Sequence, residues 1–413
     1  MSQIAIAFTG QGAQFIGMGK HWYDEHESVR QRYLQASEVL GYSLEELTFE
    51  GAADELTRTD RAQVALLVLE YAMFEVLTER RGNDGLVVIG HSLGEITALV
   101  AADALSFVDA VRLVKARGEA MAAAAAETPS GMSAVLDLTP DQVTDTVQRL
   151  RGAGHSVEVS NFNTARQTVV SGAPSGLAEL ANVVEGMNGR CVPLNVAGGF
   201  HSSFMESARE QYAAVVAEIE LRAPRLDVWS TVTGDRVETA DQIRDALARQ
   251  LTAPVLWEKA VRSIARADVS VWVEIGPKPV LTRMITDIVS GSSTANLYDD
   301  EAAVDAAFDA REIARRTPGI IGLCLGAVAS TRNRNFDDAE FTRGVVEPYQ
   351  RLVALNQGVD EHGVAPVRSE AEMREALRLL SDIMTVKQVP ASERNERLDE
   401  ILRRSGAARE LVG

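Results

Sequence analysis

The stretch GLVVIGHSLGEITALV, Gly85 to Val100, constrains the fold more than any other part of the chain. A short apolar run with the character of a buried strand is broken by Gly-His-Ser-Leu-Gly and passes at once into a segment of helical character. A strand must therefore turn abruptly into a helix at Ser92. Glycines at 90 and 94 permit such a turn and leave the serine hydroxyl exposed, the arrangement of a nucleophile elbow. The same residues fit an ordinary strand-to-helix turn with Ser92 as its N-cap, which requires no chemistry.

The rest of the chain supplies the setting for such a turn. IAIAF near the start is a second buried-strand pattern, and it ends in the glycine-rich turn Thr9-Gly10-Gln11-Gly12-Ala13-Gln14. From about Gln63 to Arg81 apolar residues recur at helical spacing (Val64, Leu67, Leu69, Phe74, Leu77), which makes the opening an α/β alternation. From Met132 the pattern changes to strand (MSAVLDL), helix (PDQVTDTVQRL), two strands (VEVSNF, QTVVSG), helix (SGLAELANVVEG) and strand (CVPLNV). That β-α-β-β-α-β order predicts a ferredoxin-like subdomain. LDVWSTVTG and VWVEIG then read as strands that rejoin a mostly parallel sheet. The expected fold is α/β: a core from residues 1–130 and 199–297, a ferredoxin-like insert over 131–198, and a cleft between them as the natural site.

Composition excludes several function classes. With 413 residues, 46% hydrophobic and 24% charged, the chain can bury a large core and should hold more than one domain or subdomain. MSQIAIAF runs straight into a strand pattern without the basic and apolar regions of a signal peptide, and no apolar run reaches membrane-spanning length. A cytoplasmic protein with no membrane association is expected. Cys191 and Cys324 are too far apart for a metal-like spacing, so no zinc site or disulfide framework is supported and both are expected as buried thiols. A net charge of -18 argues against non-specific nucleic-acid binding, although a local basic patch can still receive an acidic partner.

A nucleophilic serine needs a base, and the chain has six histidines: His21, His26, His91, His155, His201 and His362. His201, in NVAGGFHSSFM, follows the expected insert, where the returning chain passes over the cleft and glycines allow a close backbone approach. A loop histidine bonded to backbone is the alternative. His91 adjoins Ser92, and neighbours on an elbow point in different directions, so it is expected to pack or hydrogen-bond beneath the turn.

Six motifs in order, FTGQGAQ, GHSLGE, VKARGEAM, GGFHSSFM, LTAPVLW and VEIGPKPVL, resemble the malonyl-CoA:acyl carrier protein transacylases and the related acyltransferase domains of polyketide synthases. The resemblance covers residues 1 to about 290. It implies an α/β-hydrolase-like core with a ferredoxin-like insert, Ser92 as nucleophile, His201 as general base, and Arg117 as partner of the substrate's free carboxylate. It further implies an oxyanion hole from the backbone N–H groups of Gln11 and Leu93, and a histidine oriented by the backbone carbonyl of Gln250. Phe200, before the base, goes with preference for malonyl over α-methyl units. Thr9 departs from the family, which usually has proline there. Read without the family, Arg117 fits a surface arginine on the helix VRLVKARGEAM better than a ligand-binding one.

The implied reaction moves a malonyl unit from malonyl-CoA to Ser92 and on to the phosphopantetheine thiol of an acyl carrier protein or a polyketide synthase carrier domain, with no metal or redox cofactor. A thioester hydrolase would use the same serine and histidine but would have no need of Arg117. Residues 298–413 have no counterpart in a minimal transacylase. Ile320 to Ala329 is an apolar stretch of only core-helix length, Ser369-Glu370-Ala371-Glu372 is a capping box before MREALRLLSDIM, and ERNERLDEILRR is amphipathic. An ordered helical extension is expected, either a cap over apolar surface or a docking platform. Such an extension points to service of a polyketide assembly line in trans, the alternative being a housekeeping fatty-acid enzyme.

Overall fold

IAIAF and LVVIG, apolar or glycine at every position, become the two central strands of a six-stranded sheet in the computed structural model of the chain. The structure describes residues 3–267, 269–316, 319–356, 369–405 and 411. Its strands, in chain order, are β1 (Gln3–Phe8), β2 (Leu86–Gly90), β3 (Gly131–Leu136), β4 (Val157–Thr164), β5 (Gln167–Gly172), β6 (Arg190–Pro193), β7 (Asp227–Trp229), β8 (Arg236–Val237), β9 (Val269–Ile275) and β10 (Ser293–Asn296). The larger sheet runs β10-β9-β1-β2-β7-β8, parallel throughout except for the β7–β8 pair. Parallel strands covered on both faces need apolar residues at successive positions, and Ile4 to Phe8 and Leu86 to Ile89 are buried without a break. On one face Ala5, Ala7, Val87 and Ile89 pack with Trp257, Trp272, Ile264 and Ile285.

Register places the site. Phe8 pairs with Gly90, and the His91 N–H donates to the Phe8 carbonyl at 3.0 Å. The glycine-rich loop after β1 and the turn after β2 therefore leave the carboxyl edge of the sheet side by side, where ligands bind in parallel α/β sheets.

The second sheet has the order β4-β5-β3-β6, entirely antiparallel, as the ferredoxin-like pattern requires. Two helices, Pro140–Gly152 and Pro174–Gly186, cover one face through Val143, Val147, Leu150, Leu180 and Val184 against Val135, Val157 and Val170. The first of them starts at a Thr139–Gln142 capping box with proline at its first turn. β4 is stitched to the core where the Phe162 N–H donates to the Val255 carbonyl and the Val255 N–H to the Ser160 carbonyl, both at 2.9 Å.

Three details differ from the sequence expectation. β8 and β10 were not foreseen: one is two residues long, and the other, STAN, has no apolar run. LDVWSTVTG is strand only over Asp227–Trp229, because Ser230 to Gly234 forms the turn that brings β8 back to pair with β7. Cys191 is only half-buried, since β6 lies at the sheet edge, whereas Cys324 is fully buried.

Residues Gln3–Asp305 form one compact unit, and the chain from Ala306 belongs to a second. The second is helical: Ile320–Ser330, Glu347–Leu355, Glu370–Val386 and Ala391–Ser405 enclose a core of Ile321, Cys324, Val328, Leu352, Leu380, Ile383, Met384 and Ile401. The Ser369–Glu372 capping box opens the third of these helices. Among the described residues no helix is long and apolar enough to cross a membrane.

Candidate active site

Ser92 stands between β2 and the helix Leu93–Ala101 with φ 55° and ψ -105°, a conformation that L-residues avoid. Both glycines of the motif are demanded by contact. A Cβ on Gly90 would lie 1.8 Å from the Gly94 carbonyl carbon, and one on Gly94 would lie 2.2 Å from the Phe8 carbonyl oxygen. The serine side chain makes no capping bond. Instead its hydroxyl donates to His201 Nε2 at 2.7 Å and accepts from Arg117 Nη2 at 3.1 Å. Ser92 stands at the N-cap position but its hydroxyl caps nothing, being engaged by His201 and Arg117 instead.

His201 is also held at positive φ, 57°, in a loop tied down by Ser202 Oγ to the Gly199 carbonyl (2.5 Å) and by Ser171 Oγ to the Phe200 carbonyl (2.7 Å). Its Nδ1 lies 2.9 Å from the Gln250 carbonyl oxygen. A carbonyl only accepts, so Nδ1 carries the proton and Nε2 presents its lone pair to the serine. Burial, and then the nearby positive charge of Arg117, push the imidazole pKa down to about 3. The histidine is therefore neutral around pH 7, the form a base requires. His91 sits below the turn, 3.0 Å from Asn163 Oδ1 and tilted against the Trp257 ring. His362 lies outside the described residues.

Arg117 is 1% exposed on the helix Phe107–Glu127, which excludes the surface reading of its sequence. Gly118 allows that close packing, because a Cβ there would approach Asp60 Cα to 2.7 Å. The guanidinium donates from Nε to Gln250 Oε1 (3.0 Å), from Nη1 to Gln63 Oε1 (2.5 Å) and from Nη2 to Ser92 (3.1 Å). All three acceptors are neutral, and among the described residues no carboxylate forms an ion pair with it. Burying a charge without an ion pair is costly, by several kcal/mol, and the buried Glu95 carboxyl group offsets that cost only in part, through space.

Gln11 lies in the loop after β1, and its side chain bonds to Thr59 (3.3 Å) and Gln63 (3.4 Å). Among the described residues neither the Gln11 nor the Leu93 backbone N–H has a protein acceptor. Gln63 was not singled out by sequence. Its one signal is a polar residue inside a helix, Thr59–Arg81, that is buried almost all the way round. The side chain of Gln250 was also missed: besides its carbonyl, its Nε2 donates to the Ser92 carbonyl at 3.1 Å. Thr9, the departure from the family pattern, is 1% exposed and donates to the buried Glu70 carboxyl group.

These groups open into a cavity of about 350 Å³ between core and insert, lined by Gly10, Gln11, Ser92, Arg117, Phe200 and His201 with Met121, Asn161 and Asn163. A wider hollow of about 860 Å³ adjoins it, sharing Gln167, Val280 and Met284, and carries Arg166, Arg190, Lys278 and Arg283.

A strained serine bonded to a neutral imidazole, beside two backbone donors and an unpaired guanidinium, defines a serine–histidine acyltransferase on an α/β core. The acyl transferase domain family profile matches residues 6–305. A malonyl CoA-acyl carrier protein transacylase of Bacillus subtilis (strain 168) is 37% identical over 73% of this chain and 95% of its own length. Another transacylase of that name from Bacillus subtilis is 28% identical over 95% of this chain and 98% of its own length. A solved complex of a type II polyketide synthase acyl-carrier protein with its malonyl-transacylase superposes with a TM-score of 0.70, at 33% identity, over 74% of this chain and 99% of that one. The chain belongs to the malonyl-CoA:acyl carrier protein transacylase family, the acyl carrier protein S-malonyltransferases.

Proposed function

We propose that the chain carries a malonyl unit from malonyl-CoA through a Ser92 acyl-enzyme to the phosphopantetheine thiol of an acyl carrier protein, serving a polyketide synthase in trans. The observation that carries this reading is the buried, unpaired Arg117 guanidinium 3.1 Å from the Ser92 hydroxyl. A planar fork in a partly dry cleft binds a carboxylate by two charge-assisted bonds, which matches an acyl group ending in a carboxylate.

In the first half-reaction Ser92 Oγ attacks the thioester carbonyl as His201 Nε2 takes its proton, and the Gln11 and Leu93 N–H groups receive the oxyanion. Collapse breaks the C–S bond, and the His201 proton goes to the departing CoA sulfur. In the second half His201 deprotonates the carrier thiol, the thiol attacks the serine ester, and the proton returns to Ser92. The Gln250 carbonyl keeps the imidazole in one tautomer in both halves. Phe200, 5% exposed in the cavity wall, crowds the α-carbon and favours malonyl over methylmalonyl units. Atoms balance with serine, histidine and thiols alone, so no metal or redox cofactor enters the scheme. The cations of the adjoining hollow suit the phosphates of CoA and an acidic carrier.

Service in trans draws on the unit beyond Asp305, which the shorter Bacillus subtilis transacylase, matched over 95% of its own length and 73% of this chain, does not span. The housekeeping reading draws on the 37% identity of the shorter one. Both place the protein in the cytoplasm, where malonyl-CoA is made. Incubation with labelled malonyl-CoA and a panel of carriers tests the proposal: preferred loading of polyketide carrier domains supports it, and preferred loading of the fatty-acid carrier overturns the trans reading. Hydrolysis exceeding transfer in the presence of every carrier overturns the transferase.

A further inference from the structure

Glu70 is a carboxyl group with 0% exposure, in the middle of the helix Thr59–Arg81, among Leu66, Leu67, Leu69 and Met73. It does not line the cavity and takes no part in the reaction described above. Burying a carboxyl group is opposed by desolvation, which also pushes its pKa well above the usual carboxylate range. An apolar side chain would suit the packing of this helix better. Both oxygens are nevertheless occupied: Oε1 accepts from the Thr9 hydroxyl, and Oε2 accepts from the Thr97 hydroxyl at 3.0 Å.

The two threonines lie at matching places. Thr9 directly follows β1 and precedes Gln11 by two residues, and Thr97 follows Leu93 by one turn on the helix Leu93–Ala101. Thr9 is also packed from β9, since a Cβ on Gly276 would come within 2.3 Å of Thr9 Cγ2.

We propose that Glu70 is a positioning residue for the oxyanion hole: it ties the loop that carries the Gln11 N–H to the helix that carries the Leu93 N–H. Besides this brace the two donors are joined near the site by the strand pairing of β1 with β2, by the His91–Phe8 bond and by the close backbone packing of Gly94 on Phe8 and Thr9 and of Gly10 on His91, none of which reaches the side of the loop that Glu70 holds through a hydrogen bond to the Thr9 hydroxyl. A hole works by preorganisation, so a small change in donor spacing costs rate and leaves the bound substrate almost untouched. The inference rests on the reading of Ser92 as nucleophile.

The test compares wild type with Glu70→Leu, Glu70→Gln, Thr9→Val and Thr97→Val, each first checked for folding by circular dichroism and Tm. Serine acylation is followed by intact mass after rapid mixing with malonyl-CoA, and kcat and KM are measured with carrier protein. Glu70→Leu is expected to lower the acylation rate about a hundredfold, as misplacement of reacting groups by about an ångström does, with KM unchanged. Glu70→Gln keeps one acceptor and adds one donor, so it should stay within a few-fold of wild type. Thr9→Val and Thr97→Val should each slow acylation in the native background and have no further effect on top of Glu70→Leu. If Glu70→Leu does not fold, the threonine variants and Glu70→Gln carry the test. Folded variants with lower Tm and unaltered kcat would overturn the proposal, as would a Glu70→Gln as slow as the threonine variants. Failure of wild type to gain an acyl mass on Ser92 would instead overturn the reading on which the proposal rests.

Discussion

Among the described residues each compact unit buries one Lys or Arg, and the two are held in opposite ways. In the unit ending at Asp305, Arg117 is gripped by the side chains of Gln63, Gln250 and Ser92, none of them charged, and it faces a cavity. In the C-terminal unit Lys387, 7% exposed, donates to the backbone carbonyls of Val328 at 2.6 Å and Thr331 at 3.0 Å, at the end of the helix Ile320–Ser330. Those carbonyls are the unsatisfied acceptors of a helix C-terminus and carry its negative partial charge. Lys387 is thus answered by its own fold, while Arg117 meets neutral acceptors at the wall of a cavity, the arrangement on which the proposed carboxylate contact rests. Burial of charge marks a binding site only where the protein leaves the charge unanswered.

The largest effect expected of any substitution is at Ser92. Ser92→Ala should abolish the acyl-enzyme while Tm changes little, because its hydroxyl caps no helix and fills no core; an alanine variant that still gains a malonyl mass breaks the account of the first unit. His201→Ala should follow closely, with transfer reduced by several orders of magnitude, since the dyad acts as a unit.

Next comes the direct test of the two cations. Arg117→Ala removes a charge-assisted carboxylate contact, and kcat/KM for malonyl-CoA should fall by about 2–4 kcal/mol of transition-state stabilisation. Acetyl-CoA has no carboxylate to bind, so its rate should hold or rise. Arg117→Lys supplies charge without the fork and should restore only part of the loss. Equal falls for both esters would make Arg117 structural, and the contrast with Lys387 would collapse.

Lys387→Met should act on stability alone. Losing two bonds to otherwise unsatisfied carbonyls costs about 1–3 kcal/mol, read as a lower denaturation midpoint, with malonyl transfer per folded molecule unchanged. A large loss of transfer in a fully folded Lys387→Met protein would show that the lysine has a role beyond its own helix.

The smallest effect separates burial from charge at His201. Its depressed pKa keeps the free imidazole neutral, so kcat/KM for acetyl-CoA should show no acid limb from this group near pH 6.5. In the unfolded chain the imidazole takes a proton near pH 6.5. Between roughly pH 6.5 and 3 the unfolded state therefore binds a proton that the native state refuses, and stability falls as pH falls through that window. Arg117→Gln removes the second cause of the depression and should move the acid limb upward; an unmoved limb would assign the shift to burial alone.

Much of this was legible in the sequence because it is local. Glycines 90 and 94 around a serine, between an apolar strand and a helix, can form little other than a sharp elbow, since any side chain there would strike backbone. Uninterrupted apolar runs specified the two central parallel strands, period and turn residues specified the insert, and Ser369–Glu372 specified where a helix begins. His201 and Arg117 came into view through short motifs, yet nothing near Arg117 in the chain says that it is buried. That was decided when two helices and a loop from Gln63, Arg117 and Gln250 met behind Ser92, along contacts 54 and 133 residues apart. The same holds for Thr9, Glu70 and Thr97, each an ordinary residue in its own element, joined only by the packing of three elements. A strand or turn is set by neighbours along the chain, through sterics and periodicity. The worth of a buried polar group depends on which distant partners satisfy it, and only the tertiary structure chooses those.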